Sequence, residues 1–264
     1  MPFLDAPSGR IEYVRIAGSG PASASASTSV SASPIVLLHE GLGSVALWRG
    51  FPAQLAQATG SEVIVYSRHG YGRSAPLTAP RAVRYMHDEA LTDLPAILDT
   101  LRVEQPILLG HSDGGSIALI YAGAHPGAVR GIVTLAPHVR VEDISVTSIA
   151  AAKVTYETTD LRSRLARYHD DVDGVFWGWN RIWLDPAFRN WNIEEYLPAI
   201  DCPVLAIQGE QDEYGTMEQI ERIAHGARSV ELLKLAQCRH SPHREQPEQV
   251  LTCVTNWMAR LPRR

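Results

Sequence analysis

Short continuous apolar runs alternate along the chain with segments whose apolar residues recur every three or four positions. Strands are expected at Arg10–Ala17, Ile35–His39, Glu62–Ser67, Pro106–Leu109, Gly131–Leu135, Pro203–Gln208 and Ser229–Leu235, with Phe3–Asp5 pairing back through the turn Pro7-Ser8-Gly9. Runs such as Ile35-Val36-Leu37-Leu38 and Val204-Leu205-Ala206-Ile207 are apolar at every position, as strands covered on both faces are. The helical spacing of Met86, Ala90, Leu91, Leu94, Ile97, Leu98 and Leu101 predicts an amphipathic helix kinked at Pro95. Ser112 to Ala124 is almost entirely small or apolar and predicts a helix buried against a sheet, while Thr216–Ala224 and Glu245–Ala259 predict two more. Strands joined by crossover helices indicate an α/β protein. The expected core is a mostly parallel central sheet of about eight strands with helices on both faces, with ligands bound at the carboxyl ends of the strands.

The rhythm stops between Pro137 and Ile200, where the chain is helical in pattern, rich in charge, and carries Trp177, Trp179, Trp183 and Trp191. About sixty residues is far longer than a strand-to-helix loop needs, so 137–200 is expected to be an inserted helical lid over the site. Residues 1–136 and 201–264 then make the sheet-centred core. The stretch 19–34 alternates Ser and Ala with no large side chain to bury, and is expected to be a flexible loop.

Composition narrows the class. Hydrophobic residues make up 45% of 264 residues and charged residues 20%, ample for a full core. A net charge of −5 offers no basic footprint for nucleic acid. Charged residues or His interrupt every apolar run before membrane-span length, and the N-terminus does not read as a secretory signal. Three cysteines without ligand spacing fit a reduced, cytoplasmic protein with neither disulfide scaffold nor metal. No cofactor is expected.

Gly110-His111-Ser112-Asp113-Gly114 fits G-x-S-x-G, follows a buried strand and opens a buried helix. That context makes it a nucleophile elbow, in which a tight turn holds the serine strained and small neighbours let strand and helix approach. From here the chain resembles the α/β-hydrolase fold superfamily, over about residues 10 to 260. His39-Glu40-Gly41-Leu42-Gly43-Ser44 is similar to the family's His-Gly oxyanion loop, and Arg68-His69-Gly70-Tyr71-Gly72-Arg73-Ser74 to its Arg-x-Gly-x-Gly-x-Ser loop. Gly209-Glu210-Gln211-Asp212 resembles the Gly-x-x-Asp acid turn, and Arg239 to Glu248 the Gly-His-x-Pro-x-x-Glu-x-Pro-Glu histidine loop.

The resemblance implies the chain order Ser112, Asp212, His240 for nucleophile, acid and base. Serine needs a base within hydrogen-bond reach, assigned to His240 Nε2, and Asp212 would orient that ring through Nδ1–H. The backbone N–H groups of Asp113 and Gly41 are the expected oxyanion donors. His243 is the weighed alternative to His240, and Glu213 to Asp212. His240 and His243 lie three apart, but no accompanying ligand set suggests a metal.

Three positions depart from the family. Glu40 replaces the usual first glycine of the oxyanion loop; it is an auxiliary acid/base, a charge that repels anionic substrates, or a carboxylate accepting hydrogen bonds from loop N–H groups. Arg239 replaces the glycine before the base. Asp113 in the first helical turn is favoured by the helix dipole alone. Glu40, His39, Leu42, His111, Trp177 and Trp183 are the candidate substrate-pocket residues, with the tryptophans equally readable as the core of the lid. The expected activity is hydrolysis of a small carboxylic ester, lactone or thioester through a Ser112 acyl-enzyme. Carbon–carbon bond hydrolases, cofactor-free haloperoxidases and non-enzymatic small-molecule receptors of the same fold are the alternatives. The expected partner is a small ester-like molecule, with a homodimer as the candidate assembly.

Overall fold

The computed structural model describes residues 2–18 and 33–262, so positions 19–32 of the Ser/Ala stretch lie outside the described residues. Strands β1 (Phe3–Ala6), β2 (Gly9–Ile16), β3 (Ile35–Leu38), β4 (Val63–Tyr66), β5 (Ile107–His111), β6 (Gly131–Leu135), β7 (Val204–Gly209) and β8 (Val230–Leu235) form one sheet in the order β1-β2-β4-β3-β5-β6-β7-β8. The β1–β2 and β2–β4 pairings are antiparallel and all others parallel. Every residue of β3 to β7 is buried. Their side chains alternate between two apolar layers: Val36, Leu38, Ile64 and Leu108 enter one, Ile35, Leu37, Val63 and Ile107 the other.

The α-helical segments among the described residues are α1 (Phe51–Thr59), α2 (Tyr85–Asp88), α3 (Leu94–Thr100), α4 (Asp113–Ala124), α5 (Asp143–Thr158), α6 (Leu161–Leu165), α7 (Val172–Leu184), α8 (Glu218–Gly226), α9 (Pro242–Glu245) and α10 (Pro247–Ala259). Helix α1 is not singled out by the apolar spacing. It forms because Phe51, Leu55 and Ala56 bury one face beside Trp257 of α10, with Pro52 in its first turn and Gly60 closing it at a left-handed φ of 69°.

The kink expected at Pro95 lies one turn earlier. A π-helical turn, Glu89–Asp93, joins α2 to α3. Proline lacks the N–H for the ladder and its ring crowds the carbonyl four residues back, here Leu91, and widening that turn makes room. The same turn aims Glu89 inward.

Helices α5, α6 and α7 lie in the connection from β6 to β7. Its two ends are clipped together: Ile193 N–H donates to Val139 O at 2.8 Å, Val141 N–H to Trp191 O at 3.3 Å, and Arg140 bridges Asn192 between them. The inserted helices share the apolar layer of α4, through Ile149, Phe176, Ile182 and Trp183. Adjacent chain connections leave β3 in opposite directions across the sheet, and the carboxyl ends of β3, β5, β7 and β8 open at that end of the sheet.

Candidate active site

β5 runs directly into Ser112, whose φ of 52° and ψ of −118° lie where side-chain-bearing residues are strained, and α4 starts one residue later. Such a backbone costs about 1–3 kcal/mol and survives only where the surroundings over-determine it. They do so here through close approach. A Cβ on Gly110 would stand 2.2 Å from Gly114 O, and one on Gly114 would stand 2.0 Å from Leu38 O. The glycines two before and two after the serine are therefore the condition for strand and helix to meet.

His240 follows β8, and its Nδ1 lies 2.8 Å and 3.0 Å from the two carboxylate oxygens of Asp212, just past β7. Backbone N–H groups of Tyr214 (2.8 Å) and Gly215 (3.3 Å) also donate to Asp212 Oδ1. Burial opposes the charge on Asp212, but His240 and these donors hold its carboxyl below the usual carboxylate range. Burial likewise works against a charged His240, and Asp212, with Glu213 and Glu40, outweighs it and raises the imidazole above its ordinary value. Ser112 and His240 line one cavity, and no hydrogen bond within 3.5 Å joins the serine hydroxyl to the ring among the described residues. Such a bond is often long before substrate arrives.

The weighed alternatives sit elsewhere. Glu213 accepts from the His240 backbone N–H at 3.3 Å and pairs with Arg239 at 3.0 Å, so the arginine that replaces a glycine is tied to the acid turn. Glu245 holds the same loop by accepting from the backbone N–H groups of Arg239 at 2.9 Å and Ser241 at 3.1 Å. His243 is buried behind the site, its ring 4.8 Å from that of Trp48 and 5.3 Å from that of Phe51. No group of three or more His, Cys, Asp or Glu among the described residues is arranged to hold a metal.

Two expected pocket residues prove structural. His39 is fully buried; it accepts from Arg68 N–H at Nε2 (2.9 Å) and donates from Nδ1 to Glu40 O (2.7 Å), so both ring nitrogens are spent on the loops. Burial, with Arg68 nearby, holds it neutral, well below its ordinary value. His111 also lies beneath the cavity, its Nε2 donating to the His240 carbonyl at 2.7 Å. Glu40 and Leu42 do line the cavity, whose volume is about 220 Å³. The Glu40 carboxylate accepts from its own backbone N–H in the loop, and its Oε2 faces His111 Nδ1 at 3.5 Å.

Trp177 does not reach the cavity. It lies over a separate cleft beside Leu77 and Arg81, with the Arg181 guanidinium 5.3 Å from its ring. Its place in the wall is taken by Trp179, which packs on the oxyanion loop so closely that a Cβ on Gly41 would stand 2.2 Å from the indole nitrogen. Trp183 lines the cavity as expected, joined by Ile149 and Leu165 from the other inserted helices and by Leu47 and Tyr214 from the core. The walls are apolar and aromatic around a polar floor.

Other site residues carry no short-range signal in the sequence. His138, just after β6, lines the cavity with its ring 5.9 Å from that of His240. Burial, aided by His240, lowers it to about 3 and keeps it neutral. His169 of the insertion accepts from Gly72 N–H at 2.9 Å and donates to the Leu42 carbonyl at 3.0 Å, pinning the oxyanion loop from above. Below the loop lies a buried polar network. Arg68 donates to Glu89 (2.7 Å) and Glu40 O (2.9 Å) and lies 3.4 Å from Asp113, and Arg81 donates to Glu89 at 2.6 Å. Asp113 is thus held by partners and not by the helix dipole alone. Burial pushes its carboxyl up while Arg68 and Tyr85 pull it down, leaving it raised.

Comparison with known proteins bears on the fold. The sequence model of the alpha/beta hydrolase fold matches residues 33–176. The proline iminopeptidase of Levilactobacillus brevis is 22% identical over 86% of this chain and 88% of its own length. The bifunctional esterase/perhydrolase DCH of Acinetobacter calcoaceticus is 25% identical over 66% of this chain and 71% of its own. Among solved structures, proline iminopeptidase of Mycobacterium smegmatis superposes with a TM-score of 0.76 at 20% identity, covering 98% of both chains.

Proposed function

The chain belongs to the alpha/beta hydrolase fold family, and from that premise we propose that it is a serine hydrolase cleaving small carboxylic esters, lactones or thioesters through an acyl-enzyme on Ser112. The observation that carries this reading is the convergence of a strained Ser112 and an Asp212-oriented His240 on one apolar-walled cavity.

Ser112 Oγ attacks the acyl carbon and its proton passes to His240 Nε2. Asp212 stabilises the imidazolium through Nδ1–H. The carbonyl oxygen, now an oxyanion, is met by the backbone N–H groups of Asp113 and Gly41, each donor worth roughly 3 kcal/mol in the transition state. These N–H groups give no hydrogen bond to other described residues, which leaves them for substrate. Collapse expels the leaving group, protonated by His240. Water, deprotonated by the same ring, then attacks the acyl carbon and releases the acid and Ser112. Inserted helices α5 to α7 act as a lid whose Trp179 and Trp183 shape the acyl site.

The test is treatment of the purified protein with a fluorophosphonate, mapping of the adduct by mass spectrometry, and turnover of p-nitrophenyl esters of rising chain length, lactones, acyl thioesters, prolyl anilides and vinylogous diketones. An adduct on Ser112 with turnover of the oxygen or sulfur esters is expected. Turnover of only the anilides or diketones would overturn the ester class, and labelling that spares Ser112 would overturn the mechanism.

A further inference from the structure

His111 closes β5, one residue before Ser112. Its Nε2 lies 2.7 Å from the His240 carbonyl oxygen, and a carbonyl can only accept, so Nε2 carries hydrogen. A neutral imidazole has one N–H, which would leave Nδ1 a bare lone pair. Yet Nδ1 faces Glu40 Oε2 at 3.5 Å and has no other partner, and two acceptors do not attract each other.

No neighbour resolves the conflict. His39, on the other side of Glu40, spends one ring nitrogen on Arg68 N–H and the other on the Glu40 carbonyl, so it is a closed neutral tautomer. His243, 4.9 Å from the His111 ring, is pushed well below its ordinary value by burial and by His111 itself. His240, 5.2 Å away, is committed to Asp212, Arg239 to Glu213, and His138 is kept neutral by burial, then by His240 and His111. Arg244 lines the cavity mouth without an ion pair to Glu40 among the described residues. Burial works against a charge on Glu40, yet His111 holds its carboxyl well below the usual carboxylate range.

We propose that Glu40 and His111 are an ion pair that positions the catalytic base: a proton on Nδ1, facing the carboxylate, makes His111 a charged donor, and its Nε2–H clamps the His240 carbonyl. The inference rests on the reading of His240 as base. His111 is a positioning residue, since it meets the base loop through the backbone. A hydrogen bond from a charged donor is about twice as strong as a neutral one, and it is made here to the residue whose ring must meet Ser112. Without the Nδ1 proton the lone pair and the carboxylate repel, and the clamp loosens. Glutamate at the position usually held by glycine thereby supplies a counter-charge to His111.

The experiment measures the rate of fluorophosphonate labelling of Ser112 against pH in the intact protein and in E40Q, H111Q and H111A. Wild type is expected to rise to a plateau through the His240 limb and to fall again at alkaline pH. E40Q donates an amide N–H to a neutral His111, and H111Q keeps an N–H for the His240 carbonyl without titrating. Both should hold their plateau where wild type falls, while H111A should lose roughly ten- to a hundredfold at every pH. A wild type with no alkaline limb, or three superimposable limbs in wild type, E40Q and H111Q, would overturn the pair. Nitrogen NMR of wild type is the check that needs no variant: both ring nitrogens of His111 protonated at neutral pH supports the pair, and a single protonated nitrogen overturns it. Failure of wild-type Ser112 to label, or equal labelling in H240A, overturns the hydrolytic reading itself and the inference with it.

Discussion

The Tyr85 hydroxyl donates to Asp113 Oδ2 at 2.7 Å, tying a residue of α2 to the residue that follows the nucleophile. The same oxygen accepts the indole N–H of Trp183 at 3.1 Å, so a wall of the cavity and the first turn of α4 share one hydroxyl. Y85F keeps the ring, strands the Trp183 indole N–H and leaves Asp113 Oδ2 with Arg68 alone. Burial of an unpaired donor or acceptor costs about 1–3 kcal/mol. Thermal denaturation should show that loss, and hydrolysis should slow in kcat more than in KM, because Asp113 supplies a proposed oxyanion donor.

Asp212 sets the pH range of the base. His240 is raised above its ordinary value by Asp212 against the effect of burial, and only its neutral form accepts the serine proton, so kcat/KM should fall as pH drops through that raised value. For stability the sign is opposite: a raised folded-state histidine stabilises below its unfolded value and loses that contribution as pH rises through the folded one. D212N should move the acid limb of kcat/KM to lower pH and reduce kcat by about 10⁴-fold. A pH–rate profile of both proteins measures this; an unmoved limb would show that another group sets it.

The three tryptophans of α7 should separate. W179A and W183A should change the ranking of p-nitrophenyl esters by chain length, because both rings wall the cavity. W177A should leave that ranking as it is and lower stability modestly, since it packs against the inserted helices from outside the cavity. A substrate profile that changes with Trp177 and not with Trp179 would refute the assignment.

Arg68 carries more stability than its place behind the site suggests. It is buried and faces Glu89 and Asp113. Removing one partner of a buried ion pair costs about 3–5 kcal/mol because the other charge stays behind. R68M should therefore lower Tm by on the order of 10 °C. Arg81 remains on Glu89, so the defect should come chiefly from Asp113, and R68M/D113N should recover part of it.

The helical phase of α7 shows how far the sequence could be read. Trp179 and Trp183 are four apart and share a face, whereas Trp177 lies two residues before Trp179, about 200° around the helix. The insertion's tryptophans are legible as a cluster, and their phase separates them once one face is known to meet the cavity. The parallel strands are legible because burial on both faces leaves no polar position in Ile35–Leu38 or Val204–Ile207. The elbow, acid turn and base loop are legible because each packs its chemistry into a few consecutive residues. His138, His169 and Tyr85 are not, since each acts through partners 28 to 127 residues away: His138 beside His240, His169 on Leu42, and Tyr85 joining Asp113 to Trp183. Glu40 could be seen to break the family pattern, but only the facing His111 nitrogen says what the carboxylate is for.

The clip between Val139 and Ile193 makes the inserted helices a cassette. Their chain leaves and re-enters through one pair of adjacent backbone segments, so a helical segment of different length or sequence can be grafted onto the same two ends without shifting β6 against β7. What such exchange alters is the ceiling of the cavity, the His169 pin on the oxyanion loop and the Ser145 and Ser148 hydroxyls that donate to the Tyr214 and Glu213 carbonyls beside the acid; the elbow and the base loop stay on the sheet. Divergence in what is hydrolysed can thus proceed in one exchangeable segment, while the machinery that hydrolyses it is inherited whole.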